Sequence, residues 1–526
     1  MSSMTRRLFV KRAALGAAGL ALSGRAAAQM MGGGGGMGGT GGTVDPPVGG
    51  LLADPVVTRN RSSTPGVVDV SIEARVAQAA VNGLPASLLT YDGSFIAPTI
   101  RANPGDVVYL RFRNGLPVST ATNILGHRRD ATNVHVHGWH VSPGADMDTG
   151  LPADDVHLVV ASGGGEQVYC YDLRHQRAGS LGLYHPHLHG TVAEQMWGGL
   201  VGALDVSDGA VTTLAGYGPA RLLVLKDLTV SGGAPAPYTM LSEYMHGKEG
   251  DVVMVNAQVN PYLPARPGAV TRLRVINAGN ARFYRLSLQG HPLHLVGTDG
   301  GLLDQPYAVS ELLVAPGERV DVLVKASTRT GDYKLLALPY ARHGNMTSPQ
   351  ITLMTLRVSG AKVSQALPAV VNPAAQRLPD DPALPRARFA LGMARGRGFI
   401  NGVSFDVAAD GTLTADAHHS TVGTDELWEI VNDSGMDHPW HQHVNDGQVI
   451  AVSGGDAAYA PYAQLYTRIP GFKDTLVVPK WGSLTLRLPI RHFTGMTMYH
   501  CHILEHEDIG MMGMWHIMEG GGGMGM

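Results

Sequence analysis

The chain has 526 residues, of which 44% are hydrophobic and 16% charged, enough for about three well-cored domains. A net charge of -3 excludes a polybasic surface, so neither a nucleic-acid partner nor electrostatic membrane binding is expected. Two cysteines, Cys170 and Cys501, exclude a disulfide framework, whereas 23 histidines point to metal chemistry.

Residues 1–28 read as a twin-arginine signal peptide. Thr5-Arg6-Arg7-Leu8-Phe9-Val10-Lys11 precedes an apolar run from Ala13 to Leu22, and Ala26-Ala27-Ala28 forms a small-residue cleavage site. The run is too short and too rich in Ala and Gly to span a bilayer. The expected partner is the twin-arginine export machinery, which carries folded proteins, and the expected location is the periplasm or the medium. Residues 29–50 form a Gly/Met-rich segment and residues 520–526 a similar tail; both are expected to be disordered by composition. Their thioethers could capture Cu(I), although sparse methionines in glycine commonly serve as linker.

From residue 51 the text is β-rich, with short Val/Leu/Thr/Tyr runs broken by Pro, Gly, Asn and Asp. One strand recurs three times. Val107-Val108-Tyr109-Leu110-Arg111-Phe112-Arg113-Asn114, Val270-Thr271-Arg272-Leu273-Arg274-Val275-Ile276-Asn277 and Glu426-Leu427-Trp428-Glu429-Ile430-Val431-Asn432 each follow a turn and end in Asn. The Asn positions are 163 and 155 residues apart, which is one β-sandwich. A second element, Leu312 to Leu323, recurs as Thr475 to Leu486. The chain therefore divides into three related sandwiches over 51–210, 211–375 and 376–519, in an all-β fold. Cys170, in an apolar run, is expected to be a buried thiol.

Four histidine clusters fall in the first and third repeats: His135-Val136-His137, His185-Pro186-His187, His438-Pro439-Trp440-His441-Gln442-His443, and His500-Cys501-His502 continuing to His506 and Met511. One His-x-His pair is weak evidence; four, one with a thiol inserted, are strong. In an extended strand Cys501 faces one way and His500 and His502 the other. Two metal centres would then be one residue apart, joined by covalent backbone. Cys501, two imidazoles and a thioether also make the donor set of a blue-copper site.

This arrangement resembles the multicopper oxidase family over residues 55–518. Leu183-Tyr184-His185-Pro186-His187 and the run from His500 to Asp508 are most similar to bacterial laccases, cuprous oxidases and bilirubin oxidases with three domains. The resemblance implies three cupredoxin-like Greek-key β-sandwich domains and four copper ions. The type 1 copper would take His438, Cys501, His506 and Met511. The type 2 copper would take His135 and His441. The type 3 pair would take His137, His185, His187, His443, His500 and His502. The electron would pass from Cys501 through His500 or His502, and O2 would be reduced to water. Glu507 is implied as the proton relay, with Asp146 second. The middle repeat would act as spacer and brace, and its His291-Pro292-Leu293-His294 as a relic without metal. His140 and His189 extend two clusters as outer donors, and His418-His419 reads as a solvated loop.

A copper nitrite reductase lacks the type 3 pairs, and a copper-storage protein would not need the electron path. A monomer is expected. The electron donor stays open among phenols, aromatic amines, Cu(I) and Mn(II). No Met-rich insertion is evident between 340 and 430, which favours phenols. Met393, Met436, Met496 and Met498 could still form a small thioether cluster, although core filling is the commoner role of methionine.

Overall fold

The computed structural model describes residues 42–407 and 413–520. The signal peptide, residues 29–41 of the Gly/Met segment and residues 521–526 of the tail lie outside the described residues. The fold is all-β and repeats one sandwich plan three times.

In each sandwich the recurring strand is central. Val107–Asn114 pairs in parallel with Val67–Val81 and antiparallel with Gly165–Asp172. Val270–Asn277 does the same with Arg221–Leu228 and Arg319–Lys325. Asp425–Asn432 does so with Arg386–Ala394 and Ser483–Pro489. Parallel neighbours cannot be joined by a tight hairpin, so the chain must cross over between them. Burial alternates along the strand: Val108, Leu110, Phe112 and Asn114 face inward, their neighbours outward.

The terminal Asn of each repeat has a common task. Asn432 Nδ2 donates to the Met436 and Val478 carbonyls at 2.8 and 3.2 Å, and its Oδ1 accepts from Ser434 N at 3.0 Å. Asn114 and Asn277 repeat the pattern with their own two carbonyls and the amide two residues on. All three are buried. Asn ties the end of one strand to two neighbouring segments, which explains its recurrence in the sequence. Asn432→Ala would leave two buried carbonyls and an amide without this partner. Its expected cost is about 2–4 kcal/mol in denaturant unfolding, with weaker metal retention at nearby His438.

The histidines belong to the other sheet of the first and third sandwiches. In the first, the strand order is Ala97–Ala102, Gly202–Val206, Leu181–His185, His135–His137. In the third it is Ala417–Thr421, Met512–Met518, Gly495–Cys501, His438–Gln442, Thr475–Val478. Register sets His135 opposite His185 and His441 opposite His500.

Two expectations are corrected here. Disorder is predicted through residue 50, but residues 43–52 run along the middle sandwich. Thr43–Val44 pairs in parallel with Gln350–Ile351, Asp45 accepts from Thr352 and Lys334, and the Pro46 carbonyl accepts from Asn260 Nδ2. Leu52 enters that sandwich's core. A sheet edge and a few apolar side chains suffice for order, and an averaged composition does not register them. His418 and His419 lie not in a loop but in Ala417–Thr421, parallel to Met514–Met518, with His418 Nε2 2.9 Å from Glu426.

Candidate metal centre

Two groups of donor atoms lie back to back across Gly495–Cys501. Alternation turns Cys501 to one side of the strand and His500 to the other, as expected from its extended start.

On the first side, Cys501 Sγ is 3.4 Å from His438 Nδ1 and 3.6 Å from His506 Nδ1, and the two nitrogens are 3.2 Å apart. These are separations between neighbours in a shell of radius about 2 Å. His506 reaches the site because the chain turns after His502 into the short helix Leu504–Asp508. The outer nitrogens orient the rings: His438 Nε2 lies 2.8 Å from Ser434 Oγ and His506 Nε2 3.3 Å from the Met245 carbonyl. With Nε2 protonated, both Nδ1 lone pairs face the sulfur. Met511 is buried beside them, its amide bonded to the His506 carbonyl and its carbonyl to Cys501 N. Burial pushes the Cys501 thiol well up, so a thiolate here requires a cation.

On the other side, eight imidazoles converge. His187, His443 and His500 meet through Nε2 atoms, with His187 and His443 at 3.2 and 3.3 Å from His500. His135, His137 and His185 form a second convergent group, and His135, His441 and His443 a third. His502 faces His137 at 4.8 Å and His185 at 5.5 Å between ring centroids. Ring nitrogens of His135, His137, His185, His441, His443 and His502 are buried without a hydrogen-bond partner. Unpaired buried imidazoles at this density are costly unless they ligate. Burial, followed for most by neighbouring imidazoles, holds His135, His187, His443, His500 and His502 well below the ordinary histidine range, in the neutral form a metal ligand needs. Neutral imidazoles on one side and thiol, imidazole and thioether on the other fit copper.

The outer shell includes residues that no spacing marks. Asp154 lies 2.9 Å from His135 Nδ1 and 3.8 Å from His443 Nδ1, and burial raises its carboxyl to about 7. Asp474 lies 3.2 Å from His137 Nε2, and its carbonyl accepts from His441 Nδ1 at 3.0 Å. Arg319 is fully buried and grips both Asp474 oxygens at 2.6 Å. Arg319 comes from the middle repeat, so the expected spacer takes part in the site. At Gly317, two residues earlier and at φ +81°, a Cβ would meet His502 and His137 at 2.9 and 3.0 Å.

Glu507 is fully buried, with Oε2 3.2 Å from His500 Nδ1 and Oε1 3.7 Å from His187 Nε2. Asp146 is a correction. Its carboxylate accepts from the Thr149 amide and hydroxyl at 2.8 and 2.7 Å, closing a turn. Among the described residues no hydrogen bond or ion pair joins it to the histidines. The chain turns out of the strand at Gly138 (φ +92°), so nearness to His137 along the sequence does not carry into space. Asp154 takes the position instead.

The remaining candidates lie apart from these groups. His140 Nδ1 bonds the Val444 carbonyl at 2.6 Å, and its Nε2 faces His492 at 2.8 Å. His189 packs on His127 and Phe405. Both nitrogens of His291 are occupied, by the Gln289 carbonyl and the Ser327 amide. Cys170 is buried, which raises its thiol to about 11. The four methionines suggested as one cluster fall into two groups: Met436, whose Sδ accepts from Arg342 at 3.3 Å, and Met393 pack with the core that holds Cys501, whereas Met496 and Met498 pack together elsewhere.

Three family models, each described as multicopper oxidase, match residues 73–210, 224–361 and 386–520 and together cover most of the chain. A laccase from Bacillus subtilis is 28% identical over 478 residues, 81% of this chain and 90% of its own length. A bilirubin oxidase from Albifimbria verrucaria is 27% identical, covering 81% of this chain and 72% of its own. A multicopper oxidase from Campylobacter jejuni, described as a metallo-oxidase, superposes with a TM-score of 0.74 at 27% identity, over 90% of this chain and 96% of that one.

Proposed function

Because the chain belongs to the multicopper oxidase family, we propose that it couples four one-electron oxidations of a small donor to the reduction of O2 to two waters. The observation that carries this reading is the back-to-back arrangement across Gly495–Cys501, with one thiol-containing group and one eight-histidine group sharing a strand. Four copper ions would occupy it: one at His438, Cys501, His506 and Met511, and three among His135, His137, His185, His187, His441, His443, His500 and His502. Bound copper supplies the one-electron redox chemistry and the O2 chemistry that no side chain provides.

The protein's own contribution is orientation, dryness and protons. Ser434 and the Met245 carbonyl fix the rings of His438 and His506. Complete burial of Cys501, His500 and His502 keeps water out of the path between the groups. Glu507 holds a proton beside His500 and His187. Asp154 orients His135 in the same way that a carboxylate orients a metal-bound imidazole. Asp154→Ala is expected to weaken copper retention at the His135 group by about 10–100-fold. The type 2 electron paramagnetic resonance signal should fade under dialysis while the blue band persists; an undiminished signal excludes the role.

Donors are proposed to dock where His506 approaches the Met245 carbonyl. Phenols and aromatic amines fit the reading, as for the laccase relatives. A specific observation favours Cu(I) as a second donor class. The helix Leu241–His246 and residues 343–346 bring His246 and His343 together with ring centroids 5.2 Å apart, beside Met436. Met240 and Met346 on the same two segments are exposed. Thioether and imidazole are soft enough to hold Cu(I). The deciding measurement is O2 consumption with a phenol and with Cu(I), comparing kcat/KM for each with and without added copper. No O2 consumption with either donor by copper-loaded protein overturns the oxidase reading. Export to the periplasm or medium by the twin-arginine route, and a monomeric state, complete the proposal.

A further inference from the structure

A row of thioethers leads away from the histidine group along the same sheet face. Met496 and Met498 alternate onto the face of His500. On the adjacent strand Met512–Met518, register sets Met512 opposite His500, Met514 opposite Met498 and His516 opposite Met496. His516 pairs in turn with His419, their ring centroids 5.4 Å apart. Met498, Met512 and Met514 are buried in one cluster with Val156 and Phe405, and Met496 packs against it. Met496 and His516 are half-buried and His419 is exposed. The face therefore reads inward from solvent as His419, His516, Met496, then Met514 and Met498, then Met512 and His500. At its inner end the His443 amide donates to the Met498 carbonyl at 3.1 Å.

Packing alone does not call for this pattern. Strand positions favour β-branched and aromatic side chains. The opposite face of the same two strands carries Thr497, Tyr499, Trp515 and Ile517, all buried, the last three in the core cluster that also holds Cys501. On the thioether face, four of the six paired positions are Met and the other two are His500 and His516. Directly opposed residues have Cβ atoms about 5 Å apart, close enough for two long side chains to share one ion. Thioether sulfur selects Cu(I) over harder cations.

We propose that this face is a Cu(I) conduit to the histidine group. His419, His516 and Met496 form its mouth, Met498 and Met514 the central site, and Met512 passes the ion to His500. Transfer is ligand exchange between sulfurs and then imidazole, with no change of oxidation state. The destination rests on the copper reading of the histidines; the thioether site does not.

The test uses the full chain and the volume-conserving double variant Met498→Leu/Met514→Leu, with an unchanged melting transition as the fold control. Copper-loaded protein is titrated with Ag(I), a redox-inert soft cation, and counted by native mass spectrometry. The variant is expected to bind one Ag(I) fewer than wild type; an equal count overturns the site. Protein produced without copper is then supplied with Cu(I). The variant should fill the histidine group about tenfold more slowly, while the Cys501 group fills at the wild-type rate, read as the blue band after unbound Cu(I) is removed and ferricyanide is added as oxidant. Equal filling overturns the conduit. If wild-type protein holds no copper at the histidines yet the Ag(I) deficit stands, the copper reading fails and the thioether site survives.

Discussion

Cys501→Ser is expected to abolish the blue absorption and to reduce oxidase turnover by at least about 10³-fold. Cys501 supplies the sole sulfur anion available to the His438/His506 group, and a serine oxygen is too hard and too weakly acidic to replace it. The same residue also provides the covalent path. His500 and His502 flank it and turn to the other side of the strand, so an electron would leave the sulfur through one or the other flanking backbone segment and its imidazole. The substitution is nearly isosteric, and the surrounding packing of Trp440 and Ile503 should hold. Absorption spectroscopy and an oxygen electrode check both halves. A blue, active serine variant would sink the mechanism.

Glu507→Gln should slow reoxidation by O2 about 10²–10³-fold while leaving donor oxidation at the Cys501 group unchanged. Glu507 stands within 3.7 Å of His187 and 3.2 Å of His500, yet neither carboxyl oxygen has a hydrogen-bond partner. Burial, reinforced by neighbouring Asp508, pushes its carboxyl well above the ordinary range. Burial therefore favours its protonated form, next to the group that would need a proton. Glutamine keeps the shape and the hydrogen-bonding reach but cannot release a proton. Rapid-mixing measurements separate the two half-reactions. Wild-type reoxidation in the variant would refute the relay, and equal slowing of both halves would mark Glu507 as structural.

The two carboxylates named from the sequence fared differently, for a physical reason. Glu507 adjoins His506 in a five-residue helix whose start is fixed by the strand before it, so its direction is nearly set by local geometry. Asp146 is separated from His137 by a glycine at positive φ and a turn, and the connection between residue number and position is lost there. Asp154 takes its place without any motif, because it is a later pass of the chain that brings it to His135.

Much of the molecule follows from local rules. Strand period, the recurring Asn and the spacing of the repeats determine three sandwiches. Alternation along His500-Cys501-His502 determines that a thiol and two imidazoles serve opposite sides. Donor chemistry alone points to copper. These depend on neighbours along the chain, whose geometry the backbone enforces. The tertiary structure alone decided which distant segments meet. It brought Asp474 and Arg319 to His137 and His441, and made the middle repeat part of the centre. It carried residues 43–52 to the middle sandwich and aligned Met498 with Met514 beside His500. Those contacts join residues tens to hundreds of positions apart, and they arise from sheet register and packing between sandwiches, which no local pattern encodes.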